Sequence, residues 1–222
     1  MFSAETGNRP LGIVGAGRVG TTIARAAVAS GYDVAISGSG AADRIALIVD
    51  VLAPGARPVS TDEVVRHADL IVLAVPMHRF RELPRDLFAG KIIIDAMNYW
   101  EEIDGVDPEL ANAPGGTSVV VQERFPSARV VKSLNHITYY KFDESRRPQG
   151  APGRIAIAAA GDDRAAVAAV IQLIDRLGFD AVDAGPLEAG VALEPDGAVF
   201  GASYSAGELS SLLRPGQAVT AI

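Results

Sequence analysis

Leu11-Gly12-Ile13-Val14-Gly15-Ala16-Gly17-Arg18-Val19-Gly20 is the stretch whose reading decides the fold. Leu11 to Val14 is a short apolar run of buried-strand type. Thr21 to Ser30 (TTIARAAVAS) then puts Ile23, Ala27 and Val28 on one helical face. Between strand and helix the three glycines have separate tasks. Gly15 permits the tight turn, Gly17 lets the backbone approach a pyrophosphate, and Gly20 lets the helix pack closely on the strand. Phosphates would meet free N–H groups at the positive end of the helix dipole. The glycine pattern alone is common. Its strand–turn–helix setting, with a second strand at Tyr32 to Ile36, makes it a dinucleotide-binding fingerprint. The competing reading is a glycine-rich turn that only packs.

Outward from this turn, apolar runs alternate with amphipathic stretches. Helices are expected at Ala41 to Leu52 and Asp62 to His67, the latter capped by Ser60 or Thr61. Arg57 to Val59, Leu70 to Val75 and Lys91 to Ala96 read as strands. Arg79 to Phe88 reads as a helix that Pro84 kinks or splits. Glu101 to Gly116, acidic and rich in Pro and Gly, reads as a loop. Ser118 to Phe125 follows as a helix and Arg129 to Leu134 as a strand. Phe142 to Gly153 is polar and turn-rich and is the best boundary. Beyond it come strand Arg154 to Ala160, helix Arg164 to Leu177, strand Phe179 to Asp183 and a helix at Ala206 to Leu213. Continuous apolar strands alternating with helices imply an α/β fold, a Rossmann-type doubly wound parallel sheet covered on both faces. The expected division is a dinucleotide-binding domain over 1–148 and a small C-terminal α/β extension over 149–222 that completes the substrate crevice.

The composition narrows the chemistry. At 222 residues the chain can bury a sizeable core without staples. The first eight residues and the extreme tail are expected to be disordered. With no cysteine and three histidines, thiolate metal sites, iron–sulfur clusters, disulfides and cysteine nucleophiles are excluded, and no metal site is expected. A formal net charge of −7 argues against nucleic acid as a partner. No apolar run approaches the roughly 18 to 20 residues that span a bilayer. MFSAETGNRP lacks the pattern of a signal peptide. A cytoplasmic protein acting on small molecules is expected, without membrane partners. Leu209, Leu212 and Leu213, at helical spacing, would pack on the chain's own domain or on a second copy in a homodimer.

The end of the second strand selects the cofactor. NAD binders place Asp or Glu there for the ribose 2′-hydroxyl. Here the chain reads Ser37-Gly38-Ser39-Gly40, and Asp33 lies at the wrong end of the strand. A 2′-phosphate would meet no repulsion, with Arg18 or Arg44 to pair with it. NADP(H) is the expected cofactor, against a flexible loop with no selectivity. Ligands in such folds bind beyond the carboxyl ends of the strands. Three such ends, Val75-Pro76-Met77-His78, Asp95-Ala96-Met97-Asn98 and Ser133-Leu134-Asn135-His136, would line the crevice. His136 is the candidate for polarising a substrate group, or else a hydrogen-bonded structural histidine. Asp95 would contact a ribose or cap its loop, and Tyr139 or Tyr140 would cap a ring or pack. Nothing suggests hydrolysis, because GxSxG and HExxH are both missing.

GAGRVG, LIVLAVP (Leu70 to Pro76), KIIIDAMNY (Lys91 to Tyr99), VVKSLNHI (Val130 to Ile137) and DAGPL (Asp183 to Leu187) together resemble a known family. It is the family of reductases that exchange a hydride between NADP(H) and the deazaflavin coenzyme F420. The resemblance extends to the ferric-reductase domain of the STEAP proteins. It implies that Ala16, Gly17, Arg18 and Val19 hold the pyrophosphate, and that Ser37 and its neighbours hold the 2′-phosphate. It implies further that Val75, Pro76, His78 and Asn98 border the cofactor, while Asn135, His136 and Tyr139 face the reacting rings. Coenzyme F420 becomes the implied second substrate, lying between the crevice and the C-terminal segment. Two departures stand out. The family commonly carries Arg after the serine that binds the 2′-phosphate, whereas Gly38 follows Ser37. LEPDGAVFGASYSAGELSSLL also differs from the apolar C-terminus expected of the archaeal enzymes. Arg79, Arg81, Lys141, Arg146 and Arg147 would meet the acidic tail of such a coenzyme, or are solvated surface charge. Acceptors of another kind (an imine, a ketone, a flavin or chelated ferric iron) and a sensor without turnover remain as rival readings.

Overall fold

The computed structural model describes residues 9–213. The first eight residues and the extreme tail, expected to be disordered, lie outside this range. Among the described residues, eight strands form one sheet in the order β3-β2-β1-β4-β5-β6-β7-β8. They are β1 (Arg9–Val14), β2 (Tyr32–Ser37), β3 (Arg57–Pro58), β4 (Leu70–Leu73), β5 (Ile92–Asp95), β6 (Arg129–Ser133), β7 (Ala156–Gly161) and β8 (Asp180–Gly185). The first six run parallel, and the strand order reverses between β1 and β4. That reversal opens a crevice at the carboxyl ends. The protein is an α/β protein with a Rossmann-type sheet, as expected.

Alternation along each strand separates two apolar layers. Leu11 and Ile13 face a layer with Ile23 and Ala27 of helix α1 (Arg18–Ala29) and Val170 and Leu173 of α8 (Arg164–Leu177). Val14, Ile71 and Ile93 face the other, with Val64 of α3 (Thr61–His67), Val121 of α6 (Thr117–Arg124) and Phe80. Both faces being covered explains why these strands read as unbroken apolar runs. Helix α2 (Asp43–Leu52) closes the β2–β3 connection. Ser60 and Glu63 form a reciprocal capping box at α3.

Three expectations are corrected. Arg79 to Phe88 is not a split helix. A 3-10 turn spans Met77–Glu82 and stops at Leu83, before Pro84, because a proline restricts its predecessor to extended backbone. Glu101 to Gly116 is not all loop. It holds the short helices α4 (Glu101–Asp104) and α5 (Pro108–Ala111), the second capped by the Asp107 carboxylate with Pro108 in its first turn. The turn-rich segment after β6 begins as helix α7 (Tyr139–Ser145).

After residue 148 the chain re-enters the same sheet. Strand β7 pairs antiparallel with β6, and β8 parallel with β7. DAGPL therefore ends at the edge of the sheet opposite the crevice. A 3-10 segment, Leu187–Leu193, climbs back along the α6 face. Helix α9 (Ala206–Leu212) then packs Leu209, Leu212 and Leu213 on β7 and β8 of its own chain. Among the described residues, no helix is long and apolar enough to cross a membrane.

Candidate functional site

The glycine turn is built by close backbone contact. Gly15 has φ 120°, and a Cβ there would lie 2.3 Å from the Ala74 carbonyl oxygen at the end of β4. A Cβ on Gly20 would lie 1.8 Å from the Gly15 carbonyl oxygen. No side chain other than hydrogen fits at either place. At Gly17 a Cβ would meet nothing within 4 Å, so space stands open in front of the helix. Gly17 is also the cap of α1. It provides no side-chain cap, and the first turn contains no acid. The head of α1 thus offers unneutralised N–H groups to an anion.

This turn opens into a cleft of about 380 Å³ lined by Gly15, Ala16, Gly17, Gly38, Ser39, Thr61, Val75, Pro76 and the apolar Ile45 and Ile48. Its acidic lining residue, Glu82, is paired with Arg79 at 2.9 Å. The Arg44 side chain lies over Gly40, 3.5 Å from where a Cβ would be. Ser37, expected to contact the 2′-phosphate, is instead fully buried, and its hydroxyl accepts from Thr61 Oγ1 at 3.1 Å. As the last residue of β2 it points into the sheet's own layer. Gly38 and Ser39, one step further, reach the cleft. Asp33, at the start of β2, pairs with Arg57 at 3.4 Å.

Arg18 leaves the glycine turn and donates to the Tyr139 hydroxyl at 3.0 Å. Val19 packs against the α1 side of the core. His78 follows the end of β4. Its Nδ1 lies 2.8 Å from the Asp104 carboxylate, which also accepts the His78 backbone N–H. The second Asp104 oxygen accepts from the Trp100 N–H at 2.9 Å. His78 thereby ties the crevice end of β4 to helix α4.

Beyond β5 and β6 the structure brings Asn98 and Asn135 together. Asn135 Nδ2 donates to Asn98 Oδ1 at 3.0 Å and to the Leu193 carbonyl at 2.6 Å. Asn98 Nδ2 donates to the Asn135 carbonyl at 3.0 Å. The amide orientations follow from these acceptors, since flipping Asn135 would set oxygen against oxygen. Leu134, just before, has φ 64°, a conformation uncommon outside glycine that turns the chain sharply at the strand end. Trp100 meets Phe200 edge to face at 5.8 Å, which joins the segment after β5 to the C-terminal stretch.

His136 is not placed as the sequence suggests. Its ring is buried, and its Nε2 accepts the Ala158 N–H of β7 at 3.0 Å. Burial pushes its pKa down to about 4, so the ring is neutral. Its carbonyl accepts from the Gly201 N–H at 2.9 Å. It is a strut between β6, β7 and the C-terminal stretch, with no exposed face for polarising a substrate.

Asp95 is likewise fully buried and faces no ribose. It pairs with Lys132 at 3.4 Å, both side chains fully buried. Sequence reading missed Lys132 and Ser118, the two side chains that Asp95 bonds. The available signal was a lone cation in the apolar run VVKSL. Among the basic residues considered for an acidic tail, Arg79 and Arg81 are already held by Glu82, and by Asp107 and Glu109. Arg146 turns away to the Leu177 carbonyl and Ser30. Among the described residues no group of three or more His, Asp or Glu could hold a metal ion.

Comparison with known proteins agrees with this fold. Residues 10–99 match the family described as NADP oxidoreductase, coenzyme F420-dependent. No curated protein matches the chain. Among solved structures, a hypothetical protein from Sinorhizobium meliloti is 23% identical, with a TM-score of 0.74 over 89% of this chain and 95% of its own. A protein from Arthrobacter sp. fb24, proposed to be an F420-dependent NADP reductase, is 26% identical, with a TM-score of 0.62 over 80% of this chain and 85% of its own. The imine reductase of Pseudomonas sp. shares the fold at 13% identity and a TM-score of 0.55, over 81% of this chain but 56% of the enzyme. The glycine turn, its cleft and the strands around them, residues 10–99, are therefore similar to the F420-dependent NADP oxidoreductase family, on a sheet with the NAD(P)-binding Rossmann fold.

Proposed function

We propose that this protein transfers a hydride between NADP(H) and a deazaflavin coenzyme of the F420 type. The observation that carries the proposal is the cleft itself. Its glycine turn is shaped for a pyrophosphate, its β2 end presents Gly38, Ser39 and Thr61 with Arg44 nearby, and the acid in its lining, Glu82, is paired with Arg79. A 2′-phosphate meets hydroxyls and a cation there, which favours NADP(H) over NAD(H). When bound, the nicotinamide supplies the hydride. The chain's own residues bind and orient. Ala16, Gly17, Arg18 and Val19 face the pyrophosphate, with Val75 and Pro76 bordering the cofactor. Asn98 and Asn135 stand at the far end of the crevice, and the stretch from residue 149 onward completes it. His136, the histidine at this end, is buried and neutral, so the contribution of the protein is proximity and orientation. Transfer between two held rings asks for just that.

The test mixes the protein with NADPH and oxidised deazaflavin coenzyme and follows loss of the deazaflavin absorbance. Bleaching at least 10-fold faster than with NADH is expected. Ser39→Asp, which puts a carboxylate at the end of β2, should erase or reverse that preference. Intact NADPH binding without bleaching would overturn the deazaflavin reading and point to an imine, ketone, flavin or ferric acceptor. NADPH binding without oxidation by any of them would mark a sensor.

A further inference from the structure

The charged residues that the crevice does not use directly lie beneath it. Asp95 and Lys132 are direct cross-strand partners on β5 and β6, on the face covered by α6. Nothing in a parallel apolar sheet calls for a cation and an anion there, and a buried pair is a weak device for stability alone. Their hydrogen bonds show where they act. Asp95 Oδ1 accepts the Met97 N–H at 3.0 Å, and Lys132 Nζ donates to the Met97 carbonyl at 2.7 Å. The pair therefore grips the residue before Asn98 by both its backbone polar groups.

Two further contacts close the arrangement. Asp95 Oδ2 accepts from Ser118 Oγ in the first turn of α6 at 2.6 Å. The stem of Lys132 is covered by Gly190, where a Cβ would sit 2.9 Å from Lys132 Cβ. Gly190 belongs to the 3-10 segment that ends at Leu193, whose carbonyl accepts from Asn135. Both asparagines are thus referred to one buried ion pair, Asn98 through Met97 and Asn135 through the segment packed on the lysine.

We infer that Asp95 and Lys132 are positioning residues that hold the Asn98–Asn135 amide pair in place for the nicotinamide half of the cofactor. The inference rests on the proposed reading of the crevice as an NADP(H) site. Pre-organised amides add affinity for that half because they lose no rotamer freedom on binding. The adenosine half, held at the glycine turn, does not depend on them.

The experiment compares dissociation constants of NADP+ and of 2′-phospho-ADP-ribose, which lacks the nicotinamide. In the native chain NADP+ should bind at least 10-fold more tightly. The variants are Asn98→Ala and the charge-free double variant Asp95→Leu with Lys132→Met, which leaves no lone buried charge. Each should bind 2′-phospho-ADP-ribose within 2-fold of the native chain, yet bring the two constants within 2-fold of each other. The double variant should melt near the native temperature. A double variant that keeps the native ratio would overturn the inference, since the pair would then only stabilise the fold. Should it fail to fold, Asn98→Ala decides alone, and a native ratio there equally overturns it. A native chain that binds neither probe would fail the crevice reading itself, a result distinct from a retained ratio.

Discussion

The Arg18 guanidinium is bonded to the Tyr139 hydroxyl across 121 positions of chain, and its carbon lies 5.7 Å from the ring centroid. The contact links the glycine turn to the first residue of α7, so the cation beside the expected pyrophosphate is already aimed. Tyr139→Phe keeps the ring and deletes the bond. A partly exposed hydrogen bond contributes about 0.5–1.5 kcal/mol. The NADP(H) dissociation constant should therefore rise about 2- to 10-fold, and further with Arg18→Ala. Titration by quenching of protein fluorescence measures both. An unchanged constant in Tyr139→Phe would remove Tyr139 from cofactor binding.

Two alanine substitutions three residues apart, at Gly17 and Gly20, should behave oppositely. At Gly17 a Cβ meets nothing within 4 Å in the free protein. Gly17→Ala should leave unfolding free energy within about 0.5 kcal/mol of native and weaken NADP(H) binding at least 10-fold, because the methyl occupies the approach to the pyrophosphate. At Gly20 a Cβ would press on the Gly15 carbonyl oxygen. Gly20→Ala should cost about 3 kcal/mol or more by forcing the helix off the strand. Denaturant unfolding and a binding titration separate the two cases, and tight binding by Gly17→Ala would place the phosphates elsewhere.

Stability should depend on pH through His136. Burial lowers its pKa from 6.5 to about 4. Between those values the unfolded chain binds the proton and the folded chain does not, so stability is complete above about 6.5 and is lost as pH falls toward 4. The difference is worth about 3 kcal/mol. His136→Gln offers an acceptor to the Ala158 N–H without a titrating ring. Its unfolding midpoint in denaturant should vary less between pH 7 and pH 4 than that of the native chain. Equal slopes would mean that the native imidazole is not held neutral.

Local patterns in the chain were enough for the frame. Helix α8 matches Arg164 to Leu177 residue for residue, because an N-cap at Asp163, an unbroken apolar stripe and Gly178 as a left-handed stop are all local signals. The glycine turn is equally legible, since each glycine answers to a neighbour a few residues or one strand away. The helices at Glu101–Asp104 and Pro108–Ala111 were not. Each is a single turn, too short for any periodicity to show, and held by Asp104 and Asp107.

The sequence by itself determined that this chain builds a mostly parallel α/β sheet and that a glycine turn leaves the head of α1 open. These depend on periodicity and on spacings within about thirty residues. Only the tertiary structure decided which polar residues face the crevice. One residue separates buried Ser37, the last of β2, from Ser39, which lies in the bend beyond the strand and lines the cleft. His136 became a strut because β7 returns antiparallel and places the Ala158 N–H against it. Asp95 found Lys132 because the β5–β6 register set them opposite. Those pairings join positions tens of residues apart, and their geometry exists only once the strands lie side by side.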